Sequence, residues 1–444
     1  MSFSKRYLIL ITIFLLLLGN YKSEAQDSLQ LSLKDARRIA FENNTMIRNS
    51  ALDMEIARKK IWETTAIGLP HIDGKAAYQF LPSVPSLPAG SFGEGSPAVS
   101  LGVKNNITFD VTASQLIFNG SYLVGLKAMK TLYQQANESN EKIIQDVNES
   151  VINTYYMILV GEESIINLGK SLTNVQKTAL EIKEMNKQGF VEKTDVDQLD
   201  LTANNLMNAM NQVKSNLDIG YRLLKIILGL ENNVKLRLTD PLAAKSSIPE
   251  SVTTLIGESF NIEKNIDYRL INTATNISRL EYQNAVAAYM PVITGFYQHT
   301  DKTNKPAFDF SVKDVLGLNL SLPIFSSGQR MAAVSQKKLA ISKMENSRKL
   351  VYSNLMMQAD QYQTDLKLKY EKYEIQKKSL ALSDEIYQRT LEKYRNGVST
   401  STDLTTTQNQ YLTSLTNYYQ SIYDLATAKT KLEKLFNINQ EIIK

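Results

Sequence analysis

The sequence predicts an α+β chain of long antiparallel coiled-coil helices and four β-strands, with the same plan written twice. Three observations predict it. Two turns are near copies: GFVEKTDVDQLDL from Gly189 and GVSTSTDLTTTQN from Gly397 lie 208 residues apart, and Asp195 and Asp403 keep that offset. Each turn follows a long helical pattern without a breaker, and no proline falls between Gly120 and Gly189. Ahead of each long pattern stand short segments with apolar residues at every second position, the period of a two-faced strand.

The N-terminus reads as a cleavable export signal, residues 1–25. Lys5 and Arg6 precede an apolar run, Tyr7 to Leu18, too short to span a bilayer. Removing it lowers the formal net charge of +5 by two, too little to suggest nucleic acid as a partner. The chain has no cysteine, so it has no disulfide and no acylated cysteine anchor. No later segment is apolar for long enough to cross a membrane as a helix, so a membrane form must be a closed barrel.

The first repeat, 26–230, opens at SLKDARRIAFENN, where Ser32 caps a helix with Asp35 in its first turn. The pattern runs to about Ala66 and stops at Gly68-Leu69-Pro70. A strand over about Ile72–Leu81 leads into PSVPSLPAGSFGEGSPAVS, a loop by composition. NITFDVTAS then alternates, with Ile107, Phe109, Val111 and Ala113 on one face. The helical pattern over Ser121–Gln188 would be a rod of roughly 100 Å. After the Gly189 turn, Val196, Leu199, Ala203, Leu206, Met210, Val213, Leu217, Tyr221, Leu224 and Leu228 form a coiled-coil seam.

A polar connector, 231–250, precedes the second repeat, 251–444. The order recurs: a helix over about Val252–Ala288, a strand over Val292–His299, a polar loop, and VLGLNLSLPIF with Leu316, Leu318, Leu320 and Leu322 alternating. A second long helix spans Gln329–Arg395, with Tyr373, Leu380, Tyr387 and Tyr394 every seven residues. Tyr411, Leu415, Tyr418, Ile422 and Leu425 continue the seam after Gly397, and a second apolar stripe (Leu412, Tyr419, Ala426) lets the helix touch two neighbours.

Four strands per chain cannot close a membrane barrel, since open edges are not tolerated in lipid and known barrels start at about eight strands. Three chains would supply about twelve strands. The predicted fold is therefore a membrane channel-tunnel closed as a homotrimer, with its helical part forming a conduit.

The residues also resemble the TolC-like outer-membrane efflux family. The resemblance rests on Leu33-x-x-Ala36-x-x-x-Ala40 with Asn43-Asn44, on Leu69-Pro70, on Gln115-Leu116-Ile117-Phe118-Asn119-Gly120 and on Leu322-Pro323-Ile324-Phe325-Ser326-Ser327-Gly328. It covers essentially the whole mature chain, in register across both repeats. It implies a homotrimer in the outer membrane, with its lipid around the barrel and its helical tunnel in the periplasm. Such a duct is a passive exit, served by an inner-membrane pump and a periplasmic adaptor protein, and needs no cofactor.

The resemblance also assigns the turns. Gly189-Phe190-Val191 and Gly397-Val398-Ser399 match the family's adaptor-contact tips, the second departing at its third residue. Tyr394 and Asp195 match a hydrogen-bonded pair that constricts the tunnel, and Asp403 matches one member of an acidic ring. The ring's second aspartate falls on Thr406, and a gating arginine falls on Ser399.

Simpler roles exist for each. Gly189 and Gly397 can be left-handed helix ends. Asp195 and Asp403 can be first-turn charges, with Thr194 and Thr402 as the caps. Tyr394 can be a heptad core residue. No metal site is expected from His71 and His299, which are far apart, and Gly169-Lys170-Ser171 lacks the earlier glycine of a phosphate loop. No nucleophile–base pair suggests an enzyme. The rival to a transport duct is a structural coiled-coil protein of the periplasm or cell surface, which has no use for the leucine face of LGLNLSLPIF. A periplasmic adaptor would have one hairpin between compact β domains, not two equal halves.

Overall fold

The computed structural model describes residues 29–91, 93–242, 247–306, 309 and 311–438. The export signal expected at 1–25 lies outside them. The chain forms two compact units, each drawing on both halves of the sequence.

The first unit comprises residues up to 45, 145–259 and from 361 onward. A parallel pair, β1 (Leu29–Leu31) with β6 (Leu236–Leu238), joins distant segments. Helix α1 (Leu33–Asn43) starts at Ser32, whose hydroxyl accepts from the Asp35 amide at 3.1 Å. Asp240 Oδ2 accepts the Leu33 amide at 2.8 Å, and the fully buried Tyr155 hydroxyl sits 2.9 Å from the same oxygen. Burial and then the Asp240 carboxylate push the Tyr155 pKa up, so this staple stays neutral.

The single helix expected to run to Ala66 is broken. Asn44 adopts an extended conformation (ψ 128°), and its side-chain amide donates to the Ile227 carbonyl at 2.7 Å. A new helix, α2 (Thr45–Ala66), begins beyond it. Apolar periodicity continues through the break, so spacing alone did not reveal it.

The rest of the first unit is helical. The distal part of α3 (Gly120–Lys187) joins α4 (Lys193–Leu228), and the distal part of α7 (Gln329–Arg395) joins α8 (Ser401–Phe436). The seam holds: Val196, Leu199, Leu206, Leu224 and Leu228 on α4 are buried, as are Leu415, Ile422 and Leu425 on α8. Tyr419 and Ala426 of the second stripe are buried too. Tyr387 stacks on Tyr411 and Tyr373 on Tyr418, with ring centroids 5.7 and 5.9 Å apart.

The second unit, 46–144 and 260–360, carries the sheet. Its strands are β2 (His71–Phe80), β5 (Asn105–Asn119), β7 (Val292–Lys302) and β8 (Asp314–Ser321), in the order β2-β5-β7-β8 and antiparallel throughout. Strand β5 runs on through QLIFN, with a register shift between Leu116 and Phe118. The loop expected over PSVPSLPAGSFGEGSPAVS contains a two-residue hairpin, β3 (Ser86–Leu87) with β4 (Val99–Ser100).

The helix expected over Val252–Ala288 is also two. Helix α5 (Ser247–Ile256) stops before Gly257, a 3₁₀ turn covers Ile262–Lys264, and α6 (Ile266–Ala287) restarts at Asn265. Asn265 accepts from the amides of Asp267 and Tyr268. Arg269 then grips both oxygens of Glu141 on α3 at 2.9 Å.

Candidate functional site: the hairpin tips and the two-faced sheet

Both tips are built the same way. Gly189 has φ +80° and Gly397 has φ +73°, the left-handed region that favours glycine. The Phe190 amide donates to the Met185 carbonyl at 3.0 Å and the Val398 amide to the Lys393 carbonyl at 2.9 Å. With the Gly189→Asn186 and Gly397→Tyr394 bonds this is a Schellman closure at each helix end. A Cβ at either glycine would meet open space, so the requirement is conformational, not steric.

The turns aim their apolar residues outward. Phe190 is 73% exposed and Val398 is 75% exposed. Val191 instead packs on the core, and its carbonyl accepts from Asn186 Nδ2 at 2.7 Å. Ser399 sends its hydroxyl to Asp403 Oδ2 at 3.2 Å.

The caps differ from those expected. Helix α4 begins at Glu192, without a side-chain cap bond, and Thr194 lies inside it. Helix α8 begins at Thr400, not Thr402. Thr400 and Asp403 form a reciprocal capping box: the Asp403 amide donates to Thr400 Oγ1 at 3.1 Å, and Asp403 Oδ2 accepts the Thr400 amide at 3.1 Å. The Thr400 hydroxyl, with help from its amide and from Ser399, holds the Asp403 pKa below the usual carboxylate range. Asp403 Oδ2 thus serves as a cap within the chain.

Tyr394 and Asp195 come together without bonding. The Tyr394 hydroxyl is buried and has no hydrogen-bond partner, and burial followed by the Asp195 charge pushes its pKa up to about 12. Asp195 Oδ1 instead accepts from the buried Ser401 hydroxyl, which also lies 3.1 Å from Gln198 Oε1. The bond implied between Tyr394 and Asp195 is therefore not made in the single chain. Its place is taken by Ser401, which ties the first turn of α8 to the first turn of α4. Nothing in the run Ser399-Thr400-Ser401-Thr402 marked Ser401 out; only the pairing of the two tips does.

Around this link, Val196, Leu199, Leu404, Tyr387, Leu391, Tyr394, Val175 and Ile182 form one buried cluster from four helices. Arg395 adds an ion pair to Glu181 at 3.6 Å. Thr406 is exposed. Among the described residues no group of three His, Asp or Glu could hold a metal.

The sheet sorts its residues by face. Directly paired residues share a side, so Ile72, Tyr78, Ile107, Phe109, Val111, Tyr297, Leu316, Leu318 and Leu320 stand on one face. They are exposed in the single chain, Leu316 by 84%. The other face carries Thr108, Asp110, Thr112, Ser114, Gln298, Thr300 and Asn319. There Asp110 Oδ1 accepts from Thr300 at 2.6 Å and Gln298 at 3.2 Å. Strands β2 and β8 are each paired on one side only, so both edges are open. No helix among the described residues is long and apolar enough to cross a membrane.

Residues 276–437 match the family model described as outer membrane efflux protein. The match lies in the second half of the chain. Solved structures extend the likeness in fold to almost the whole chain. CusC, whose structures concern transmembrane channel formation, superposes with a TM-score of 0.74 at 14% identity, covering 92% of each chain. The CmeC outer membrane channel of Campylobacter jejuni gives 0.74 at 18% identity, covering 91% of this chain and 85% of that one. The MtrE outer membrane channel of Neisseria gonorrhoeae gives 0.68 at 17% identity, covering 91% and 89%. No curated protein matches the sequence. The fold of this chain is that of these outer-membrane channels.

Proposed function

We propose that three copies of this chain close into one outer-membrane duct of an efflux system, a passive exit for cargo that an inner-membrane pump delivers through a periplasmic adaptor. One observation carries the reading: a four-stranded sheet with one apolar face and two open edges. Such a sheet is stable in lipid only if its edges are closed, and β8 of one copy against β2 of the next closes all of them. The residues 1–25 act as the export signal, and the absence of cysteine leaves the protein unlipidated. The two repeats, 26–230 and 251–444, joined by 231–250, each contribute a strand pair and a helical hairpin.

The exposed tip residues, Phe190 and Val398 on the turns of Gly189 and Gly397, form the adaptor contact together with Val191 and Ser399. Tyr394, Asp195 and Asp403 line the constriction, with Asp195 latched to Ser401 in the closed tip. Outer-membrane fractions should contain a trimer that dissociates on heating. A soluble monomer would sink the proposal and favour the structural coiled-coil reading.

A further inference from the structure

The apolar face of the sheet is not smooth. A dent of about 660 Å³ is lined by Pro70 and by three short strand segments centred on Ser114, Phe296 and Gly317. The residues flanking those centres, Ala113, Gln115, Gly295, Tyr297, Leu316 and Leu318, are the ones that project from the apolar face. The dent therefore opens on that face. Gly295 keeps it open: a Cβ there would already stand 3.3 Å from Ile117 and 3.5 Å from Leu318. Its volume lies in the range of ligand sites, about 300–1,000 Å³.

From Pro70 the apolar surface continues back along the chain. Leu69 is 43% exposed, Ile67 56% and Trp62 on α2 64%. Trp62 sits four residues after Arg58 and three after Lys59, so the three side chains share one helix face. Arg58 reaches Glu55 at 3.5 Å, while Lys59 and Lys60 are exposed and Glu63 follows. In the second repeat the matching segment of α6 is neutralised: Arg279 pairs with Glu345 at 3.3 Å and Glu281 with Lys337 at 2.7 Å.

Cations, then an indole, then apolar surface, then a dent in the face assigned to lipid is the order of parts in an amphiphile's site. At about 1.5 Å per residue, Arg58 and Lys59 lie roughly 10–12 Å up α2 from its end, within reach of a headgroup whose chains enter a leaflet about 15 Å thick. We propose that this surface seats one anionic phospholipid, with its phosphate on Arg58 and Lys59, its backbone beside Trp62 and an acyl chain in the dent. The inference rests on the duct reading, since that reading puts the apolar face in the membrane.

The test uses Trp62, the only tryptophan in the chain, as a built-in reporter. Purified protein in detergent would be titrated with acyl-brominated phosphatidylglycerol or phosphatidylcholine while Trp62 fluorescence is read. Native electrophoresis of the same sample reads the trimer separately. Saturable quenching by phosphatidylglycerol, roughly tenfold tighter than by phosphatidylcholine, is expected. Arg58→Gln with Lys59→Gln should erase that preference and leave the weak phosphatidylcholine quenching. Gly295→Val should weaken both lipids with the trimer intact.

Equal quenching by the two lipids in the unmodified protein would overturn the site, leaving ordinary annular lipid. Absence of quenching in intact trimers would mean that a neighbouring copy covers Trp62, and would overturn it too. Displacement by glycerol phosphate at the same concentration as the lipid would show a phosphate site without a lipid site. Absence of any trimer would overturn the duct reading itself.

Discussion

Replacing Ser401 by alanine removes one hydroxyl and leaves the rest of the tip in place. That hydroxyl is buried and donates to Asp195, joining the two tips of one protomer. A hydrogen bond to a charged group contributes about 1.5–3 kcal/mol, and Asp195 is half-buried, so the lower part of that range applies. Losing about 1–2 kcal/mol shifts an open–closed balance by roughly 5–30-fold. The matched control is Tyr394→Phe. Its hydroxyl is buried without a partner, so removing it should be neutral or should stabilise the closed tip by up to about 1 kcal/mol. Single-channel recording in planar bilayers reads both. Ser401→Ala should raise the time spent in conducting states, and Tyr394→Phe should not. The opposite result, a leaky Tyr394→Phe beside a silent Ser401→Ala, would refute the assignment of Asp195 to Ser401 and restore the tyrosine link.

Other expectations follow from the same geometry. Thr400→Ala should cost about 1 kcal/mol by removing the α8 cap, measured by denaturant unfolding. The Asp403 pKa is lowered in the folded chain, so its stabilising share is present above the unfolded value of about 3.9 and fades as pH falls through the folded one. An Asp403→Asn variant should therefore differ from the parent at pH 7 and converge with it in acid, once the pH has fallen through the lowered folded value. Gly189→Ala and Gly397→Ala should each cost about 1 kcal/mol through the left-handed backbone alone, with trimers retained. Phe190→Asp with Val398→Asp should abolish export and leave both fold and trimer unchanged. Leu318→Arg should destabilise the membrane form by about 2–4 kcal/mol, while Asn319→Arg on the opposite face is tolerated, read as the heating temperature that dissociates the trimer.

Much of this molecule was legible because its elements are long and strongly periodic. The bounds expected for α7, Gln329–Arg395, are those found, since an unbroken heptad pattern ends at a glycine. The strands were legible from alternation, and the faces of Leu316, Leu318 and Leu320 followed directly. What failed was local and polar. Asn44 ends α1 in an extended conformation with its side chain bonded to the distant Ile227 carbonyl, Asn265 caps the restart of α6, and apolar spacing registers neither. The α8 cap was misplaced by two residues because several serines and threonines compete there, although Thr400-x-x-Asp403 carries the spacing of a capping box. The β1–β6 pair was invisible, since three residues at each of two distant places leave no periodic signal. At the candidate site, the tips and Asp195 stood out as repeated residues, whereas Ser401 has no counterpart to repeat. Its role arises only where the two hairpins meet.

The central claim is that β8 of one copy closes on β2 of the next. The chain has no cysteine, so engineered pairs have no background. A short register scan, one cysteine on β2 (Asp73, Lys75 or Ala77) with one on β8 (Val315, Gly317 or Asn319), would be oxidised in outer membranes and resolved on denaturing gels. The account predicts at least one pair that yields covalent dimers and trimers and nothing larger. A ladder continuing past the trimer, or no covalent species between chains in any register, would contradict it.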